Sequence, residues 1–318
     1  KGLITPVVDK EGWFSAKFNK DCSYYIQNFC DVTTPNQYSV CNAAGKVVRE
    51  LYNNEQLAQK YLAGNVPNRE FFTMESDGVT LNGYMIKPVD FNPSKKYPVI
   101  MSQYSGPGSQ SVSHKWKFDW ENYFATQGFI VACVDGRGTG YRGTDFKNCV
   151  YMKLGYYETI DQIAAAKYMA SQSFVDASRI AIWGWSYGGY ESLMALTDPM
   201  SPYCCGVAIA PVTDWRFYDS IYTERFMRTP QENALGYGSC PLTRTKNLKV
   251  PALILHGTAD DNVHVTNSYQ FAALLVEEEN IMLEMMLFSN TNHSINYGKG
   301  RLTVYKKVLD FYNRTLKK

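Results

Sequence analysis

The chain has 318 residues, 45% of them hydrophobic, and a formal net charge of +2 from 32 basic and 30 acidic side chains. Near-neutral charge with no basic stripe argues against nucleic-acid binding, and no apolar run is long enough to read as a membrane-spanning helix. The length suits one large α/β domain with something smaller beside it.

The chain starts at Lys1 with neither an initiator Met nor a signal-peptide pattern, so it reads as an internal start: a mature product or, by preference, an excised piece. Residues 1–50 differ in texture from the rest. Short alternating strands are expected at 12–19, 23–29, 37–40 and 46–51, with turn residues such as Asn42-Ala43-Ala44-Gly45 between them. Four short antiparallel strands make one propeller blade, or an ordinary β-meander packed on the main domain.

A short helical link at 55–62 leads into residues 51–318, which read as one α/β domain. Strands are expected at about 70–76, 80–88, 98–104, 128–134, 179–184, 205–210, 251–256 and 282–288, and helices at about 116–127, 158–171, 187–197, 266–279 and 300–316. The first two strands alternate and join through Asp77-Gly78, which fits an antiparallel edge. The later ones are near-continuous apolar runs separated by helices, the sign of a parallel sheet covered on both faces. This pattern predicts an α/β-hydrolase: eight strands, mostly parallel, helices on both faces.

Gly138-Thr139-Gly140-Tyr141-Arg142-Gly143 follows a strand and matches the spacing of a dinucleotide loop. Such a site needs a helix to open at once. A mixed loop of more than ten residues is expected instead, so no nucleotide cofactor is assigned. Eight cysteines at positions 22, 30, 41, 133, 149, 204, 205 and 240 contain no C-x-x-C pair, so no metal site is assigned either. Cys133, in an apolar strand, reads as a free core thiol, and the vicinal Cys204 and Cys205 are poorly placed to bridge each other.

The chemistry concentrates at Gly184-Trp185-Ser186-Tyr187-Gly188. The Gly-x-Ser-x-Gly spacing alone has about a one-in-ten chance of arising at random in a chain this long. A strand before it and a helix after it turn that spacing into a nucleophile elbow, which lifts a serine hydroxyl out at the carboxyl end of a sheet. A serine needs a base, and the base needs an orienting acid. On this architecture they follow in the order Ser, acid, His. The strand ending at His256-Gly257 opens into a loop with Asp260, Asp261 and Asn262, and the next strand opens into a loop with His293. Ser186, Asp260 and His293 meet both order and context. Of the adjacent aspartates Asp260 is preferred, with Asp261 a loop or cap residue. His256 reads as a packed strand-end histidine, His264 as a residue ahead of a helix, and His114 as a solvated loop residue.

Gly-Trp-Ser-Tyr-Gly-Gly-Tyr at 184–190, His-Gly-Thr-Ala-Asp-Asp-Asn-Val-His at 256–264 and Asn-His-Ser at 292–294 resemble the prolyl oligopeptidase family of serine peptidases, most closely its dipeptidyl peptidase IV branch. So do Tyr-Ser-Gly-Pro-Gly-Ser-Gln at 104–110, Asp-Gly-Arg-Gly-Thr-Gly-Tyr at 135–141 and Tyr-Asp-Ser-Ile-Tyr-Thr-Glu-Arg at 218–225. The resemblance runs from about Leu51 to the end. It supports Asp260 as the acid and makes residues 1–50 the last blade of a propeller. It implies an oxyanion hole from the Tyr104 hydroxyl and the Tyr187 N–H. It implies an apolar pocket for proline from Val212, Trp215, Tyr218, Tyr222, Tyr187 and Val263, with Asn262 binding the carbonyl of the preceding residue. The implied activity is release of N-terminal dipeptides with Pro, or Ala, in second place from peptide substrates. Members of this branch hold the substrate amine with a glutamate pair on propeller blades that these 318 residues do not include. In eukaryotic members a cysteine near the chain end bridges to the position of Cys205; residues 313–318 carry none. Secretion, a periplasm or the cell surface, and a homodimer through the hydrolase domain, also come with the resemblance. A carboxylesterase or broader oligopeptidase of the same fold is the enzymatic alternative, and a catalytically silent binding protein the other.

Overall fold

A computed structural model describes residues 5–317; Lys1, with the expected internal start, and Lys318 lie outside the described residues. Four strands, β1 (Trp13–Phe18), β2 (Tyr24–Cys30), β3 (Gln37–Asn42) and β4 (Val47–Tyr52), form an antiparallel sheet in sequential order. This is the meander expected of one blade. Tyr25, Phe29, Cys30 and Cys41 are buried, while β4 stays exposed. The sheet meets the remaining fold where the Trp116 N–H reaches Cys30 Sγ at 3.4 Å and the Lys115 ammonium lies over the Trp13 ring.

After helix α1 (Glu55–Ala63) come β5 (Arg69–Ser76), β6 (Val79–Ile86), β7 (Tyr97–Ser102), α2 (Trp120–Thr126), β8 (Ile130–Asp135), α3 (Thr144–Asn148), α4 (Tyr156–Ala170), β9 (Val175–Trp185) and α5 (Tyr187–Leu196). Then follow β10 (Cys205–Ile209), α6 (Ser220–Met227), α7 (Ala234–Gly238), β11 (Ala252–Gly257), α8 (Thr266–Glu277), β12 (Leu283–Phe288) and α9 (Gly300–Leu316). β5 to β12 make one mixed sheet in the order β12-β11-β10-β9-β7-β8-β6-β5. β5 and β6 pair antiparallel at one edge, and from β8 to β12 all neighbours are parallel. This is the α/β-hydrolase arrangement expected from the sequence.

Alternation along each strand divides the core. In β9, Ile180 and Ile182 face a cluster with Ala165 and Met169 of α4 and Phe271 of α8, while Ala181 and Trp183 face Phe124 of α2 and Phe311 of α9. Helices therefore cover both faces. Burial of two apolar faces is why the central strands show no polar alternation.

Three elements differ from expectation. The helix expected from residue 116 begins at Trp120, because the Asp119 carboxylate takes the Glu121 N–H and caps it there. The glycine-rich loop does not continue for ten residues; the short α3 interrupts it. No helix opens at Gly138, and the Gly138, Thr139 and Gly140 N–H groups are already engaged by the carbonyls of Phe146, Gly136 and Ser109. The segment 212–222, read as a loop, holds a single 3-10 turn at Trp215–Phe217 and the start of α6. Asp214 and Asp219 cap the two by accepting the N–H groups of Arg216 and Tyr222. Among the described residues no helix is long and apolar enough to cross a membrane. All eight cysteines are free thiols, Cys133 buried among them.

Candidate active site

Register places the site. Trp185 at the end of β9 pairs with Ile209 of β10, Ile209 with Leu255 of β11, and Gly257 with Phe288 of β12. The loops leaving these strands thus emerge side by side at the carboxyl edge of the sheet. Ser186 sits between β9 and α5 at φ 61° and ψ −117°, a conformation that costs a non-glycine residue about 1–3 kcal/mol. Its N–H is anchored on the Ile209 carbonyl at 2.8 Å. The flanking glycines are required by space. A Cβ on Gly184 would lie 2.4 Å from the Gly188 backbone, and one on Gly188 would lie 2.5 Å from the Gln103 carbonyl. The strained turn presents Ser186 half-exposed at the mouth of the fold.

His293, after β12, points Nδ1 at Asp260 Oδ2, 2.7 Å away. The carboxylate can only accept, so Nδ1 carries the proton and Nε2 remains the acceptor nitrogen. The Trp185 indole N–H donates to the His293 carbonyl at 3.0 Å, tying the histidine loop to the elbow. Asp260 has a fully buried side chain, whereas that of His293 keeps 19% of its surface. Asp260 Oδ1 also takes the N–H groups of Asn262 and Val263 at 3.0 and 2.9 Å. Burial pushes the Asp260 carboxyl up, but hydrogen bonds from His256 and His293 outweigh it and hold it well below the usual carboxylate range. Asp261 is exposed and makes none of these contacts. The structure thus brings Asp260, and not its neighbour, to His293.

Tyr104 follows β7. Its neighbour Gln103 is clamped to the elbow, donating to the Gly188 carbonyl at 2.7 Å and to Ser192 Oγ at 3.1 Å. Burial raises the Tyr104 phenol, and the nearby Ser186 side chain works the other way. Beyond them lies an aromatic group. Trp215 packs 5.5 Å from Tyr187 and 5.9 Å from both Tyr218 and Tyr222, measured between ring centres. Val212 and Val263 join the same cluster. The Tyr218 hydroxyl donates to Asn262 Oδ1 at 2.7 Å, which fixes the amide and leaves its NH₂ free to donate outward. All the residues expected at the site are therefore brought together at one edge. Among the described residues no group of three His, Cys, Asp or Glu is placed to hold a metal ion.

The family model described as the prolyl oligopeptidase family matches residues 116–318. The chain belongs to the prolyl oligopeptidase family. That match contains the elbow, Asp260 and His293, and begins after Tyr104. A probable dipeptidyl-aminopeptidase B of Penicillium rubens is 40% identical over 96% of this chain, which spans 35% of that relative. One from Pyrenophora tritici-repentis is 41% identical over 93% of the chain and is spanned to 34%. Among solved structures, dipeptidyl peptidase 4 of Porphyromonas gingivalis superposes on 98% of the chain with a TM-score of 0.95 and 44% identity, and the chain spans 45% of it. A putative dipeptidyl aminopeptidase IV of Bacteroides ovatus gives 0.90 at 29% identity over 96% of the chain and is spanned to 44%. The chain thus spans about a third of these curated relatives and under half of these solved ones.

Beside these site residues lie Glu158, which sequence does not pick out, and His256, which is packed at the strand end as expected. Glu158, fully buried in α4, takes the Tyr187 hydroxyl at 2.7 Å and so holds the ring beside the elbow. His256 is wholly buried against Asp260. A glutamate in an amphipathic helix gives no signal of its own, and a histidine at a strand end reads first as packing. His114, read as solvated, is exposed but stacks on Phe71 at 4.4 Å.

Burial drives the Glu158 carboxyl from 4.5 up to about 7, against the opposing pull of the Tyr187 hydroxyl. A folded pKa above the unfolded one stabilises the fold below the unfolded value, and that contribution is lost as pH rises through the folded value. Glu158→Gln is therefore expected to flatten the fall in stability between about pH 5 and pH 8, by up to ~3 kcal/mol at the alkaline end, seen as a shallower fall in melting temperature. Thermal melts across that window check this; an unchanged slope would mean that Glu158 is charged in the fold throughout.

Proposed function

We propose that this chain is the catalytic part of a serine exopeptidase that releases N-terminal dipeptides with Pro, or less readily Ala, in second place. Ser186 attacks the scissile carbonyl, His293 takes its proton and returns it to the leaving amine, and Asp260 orients the imidazole. The observation that carries this reading is the 2.7 Å bond from His293 to the buried Asp260, on a loop tied to the strained Ser186 turn. The likeness to dipeptidyl peptidases supports the substrate class. Residues 1–50 are read as the last propeller blade and 51–318 as the catalytic domain.

Charge develops on the carbonyl oxygen during attack, and preorganised donors at that oxygen usually supply the largest single stabilisation. The Tyr187 N–H, opening α5, is one donor and the Tyr104 hydroxyl the other. Tyr104→Phe removes one hydroxyl and little volume, so kcat is expected to fall about 10²–10³-fold with the melting temperature unchanged. A fully active variant would make Tyr104 a packing residue.

Trp215, Tyr218, Tyr222 and Val263 offer flat apolar surface that suits the rigid proline ring. The Asn262 NH₂, in this reading, donates to the carbonyl of the preceding residue. Carboxylates for the substrate amine belong, by the family resemblance, to propeller blades outside these residues. The full-length protein should therefore cleave Gly-Pro-p-nitroanilide far better than Gly-Leu-p-nitroanilide or p-nitrophenyl butyrate, and blocking the amine should abolish cleavage. Butyrate as the best substrate, with indifference to proline, would instead make it an esterase. No turnover of any acyl substrate would make it a binding protein.

A further inference from the structure

Asp260 is held by more than the residues that define the site. His256 Nε2 lies 3.2 Å from Asp260 Oδ2, the same oxygen that receives His293, and 2.8 Å from the Val263 carbonyl. Both neighbours of Nε2 are acceptors, so Nε2 carries a proton. His256 Nδ1 lies 2.7 Å from Ser268 Oγ, at the start of α8. With Nε2 protonated, Nδ1 of the neutral ring is the acceptor and the Ser268 hydroxyl donates. His256 and Ser268 are wholly buried. The carboxylate thus stands between two imidazoles, that of His293 at the edge of the fold and that of His256, paired with Ser268, in the core.

We propose that His256, oriented by Ser268, is a positioning residue that fixes the Asp260 carboxylate as a shared acceptor for two imidazoles. This rests on Ser186, Asp260 and His293 acting as nucleophile, acid and base. Three N–H donors bond to Asp260, from His293, Asn262 and Val263, and the His256 Nε2 proton, whose nearer acceptor is the Val263 carbonyl at 2.8 Å, stands 3.2 Å from Oδ2 as a shared fourth contact. With all of them in place the carboxylate cannot rotate away from His293. The His256 donor also draws charge from Oδ2, which limits how strongly Asp260 favours the imidazolium of His293. The other titratable neighbours are Tyr218, which reaches Asp260 through Asn262, and the exposed Asp261 and His264 on the same loop.

Replacement of His256 by Leu in the full-length protein removes the donor. It should lower kcat about 10- to 100-fold, the value of a hydrogen bond to a charged group, and leave KM unchanged. The acid limb of the rate profile should move up by about half a pH unit or more, because a less encumbered Asp260 favours the charged His293. Replacement by Gln can return an N–H near the Nε2 position and should restore most of both properties. Ser268→Ala should give a smaller change of the same sign, and it serves if the Leu variant does not fold.

The readout is the rate of inactivation by a fluorophosphonate against pH, with melting temperature measured alongside. Wild type unlabelled at Ser186 would remove the underlying reading of the site. Wild type labelled at Ser186, with Leu and Ala variants that keep its rate and acid limb, would overturn the positioning role alone. A lowered melting temperature with an unmoved limb would make His256 a packing residue. A moved limb that Gln restores is the result expected.

Discussion

Ser186→Ala in the full-length protein is expected to lower kcat by about 10⁶ while KM and melting temperature stay close to wild type. The size follows from the role: without the hydroxyl no acyl-enzyme forms, and only binding and oxyanion stabilisation remain. Stability should hold because the φ of 61° and ψ of −117° strain Ala as they strain Ser. The Ser186 N–H still reaches the Ile209 carbonyl, since that bond uses backbone only. Steady-state kinetics on a Gly-Pro chromogenic substrate give the number, and activity within tenfold of wild type would remove Ser186 from the mechanism.

Asp260→Asn should cost about 10⁴ in kcat. An amide at this position can present NH₂ to His293 Nδ1 and so select the tautomer whose Nε2 carries the proton, which cannot then accept one from Ser186. It also faces the Asn262 and Val263 N–H groups and the His256 ring, all arranged around an anion. Asp261→Asn should stay near wild type, because that side chain is exposed and makes no hydrogen bond to the site. Equal damage in the two variants, or the reverse order, would contradict the choice of acid. The measurement is kcat for both, with circular dichroism to establish folding.

The elements that sequence reads well here are those whose physics is local. β9, the elbow and α5 were legible because an apolar run, a Gly-x-Ser-x-Gly turn and a helical segment lie within some twenty residues. The parallel strands were legible because burial on both faces leaves continuous apolar runs, as in Ala252 to Leu255. Boundaries fixed by one side chain were missed. Asp119 delays α2, and Asp214 and Asp219 fold an expected loop into a turn and a helix. An Asx cap is visible only once the N–H that it accepts is known.

The expected site residues converge because strand order brings five loops to one edge, and chain order supplied that order in advance. The supports beneath them were not legible. Glu158 lies 29 residues before Tyr187 in sequence, and their bond depends on how α4 packs beside α5. His256 lies four residues before Asp260, but that spacing acquires meaning only when the loop folds back so that both imidazoles meet one oxygen. Buried polar partners follow from tertiary packing, which short sequence patterns do not encode.

In the proposed mechanism Ser186 is the acyl acceptor, activated through His293 and Asp260. Fluorophosphonate labelling of the full-length protein, followed by peptide mass spectrometry, tests it most directly. One adduct is expected, on Ser186, absent from Ser186→Ala and formed far more slowly in His293→Ala. An adduct on any other serine, or undiminished labelling of the Ser186→Ala variant, would contradict it.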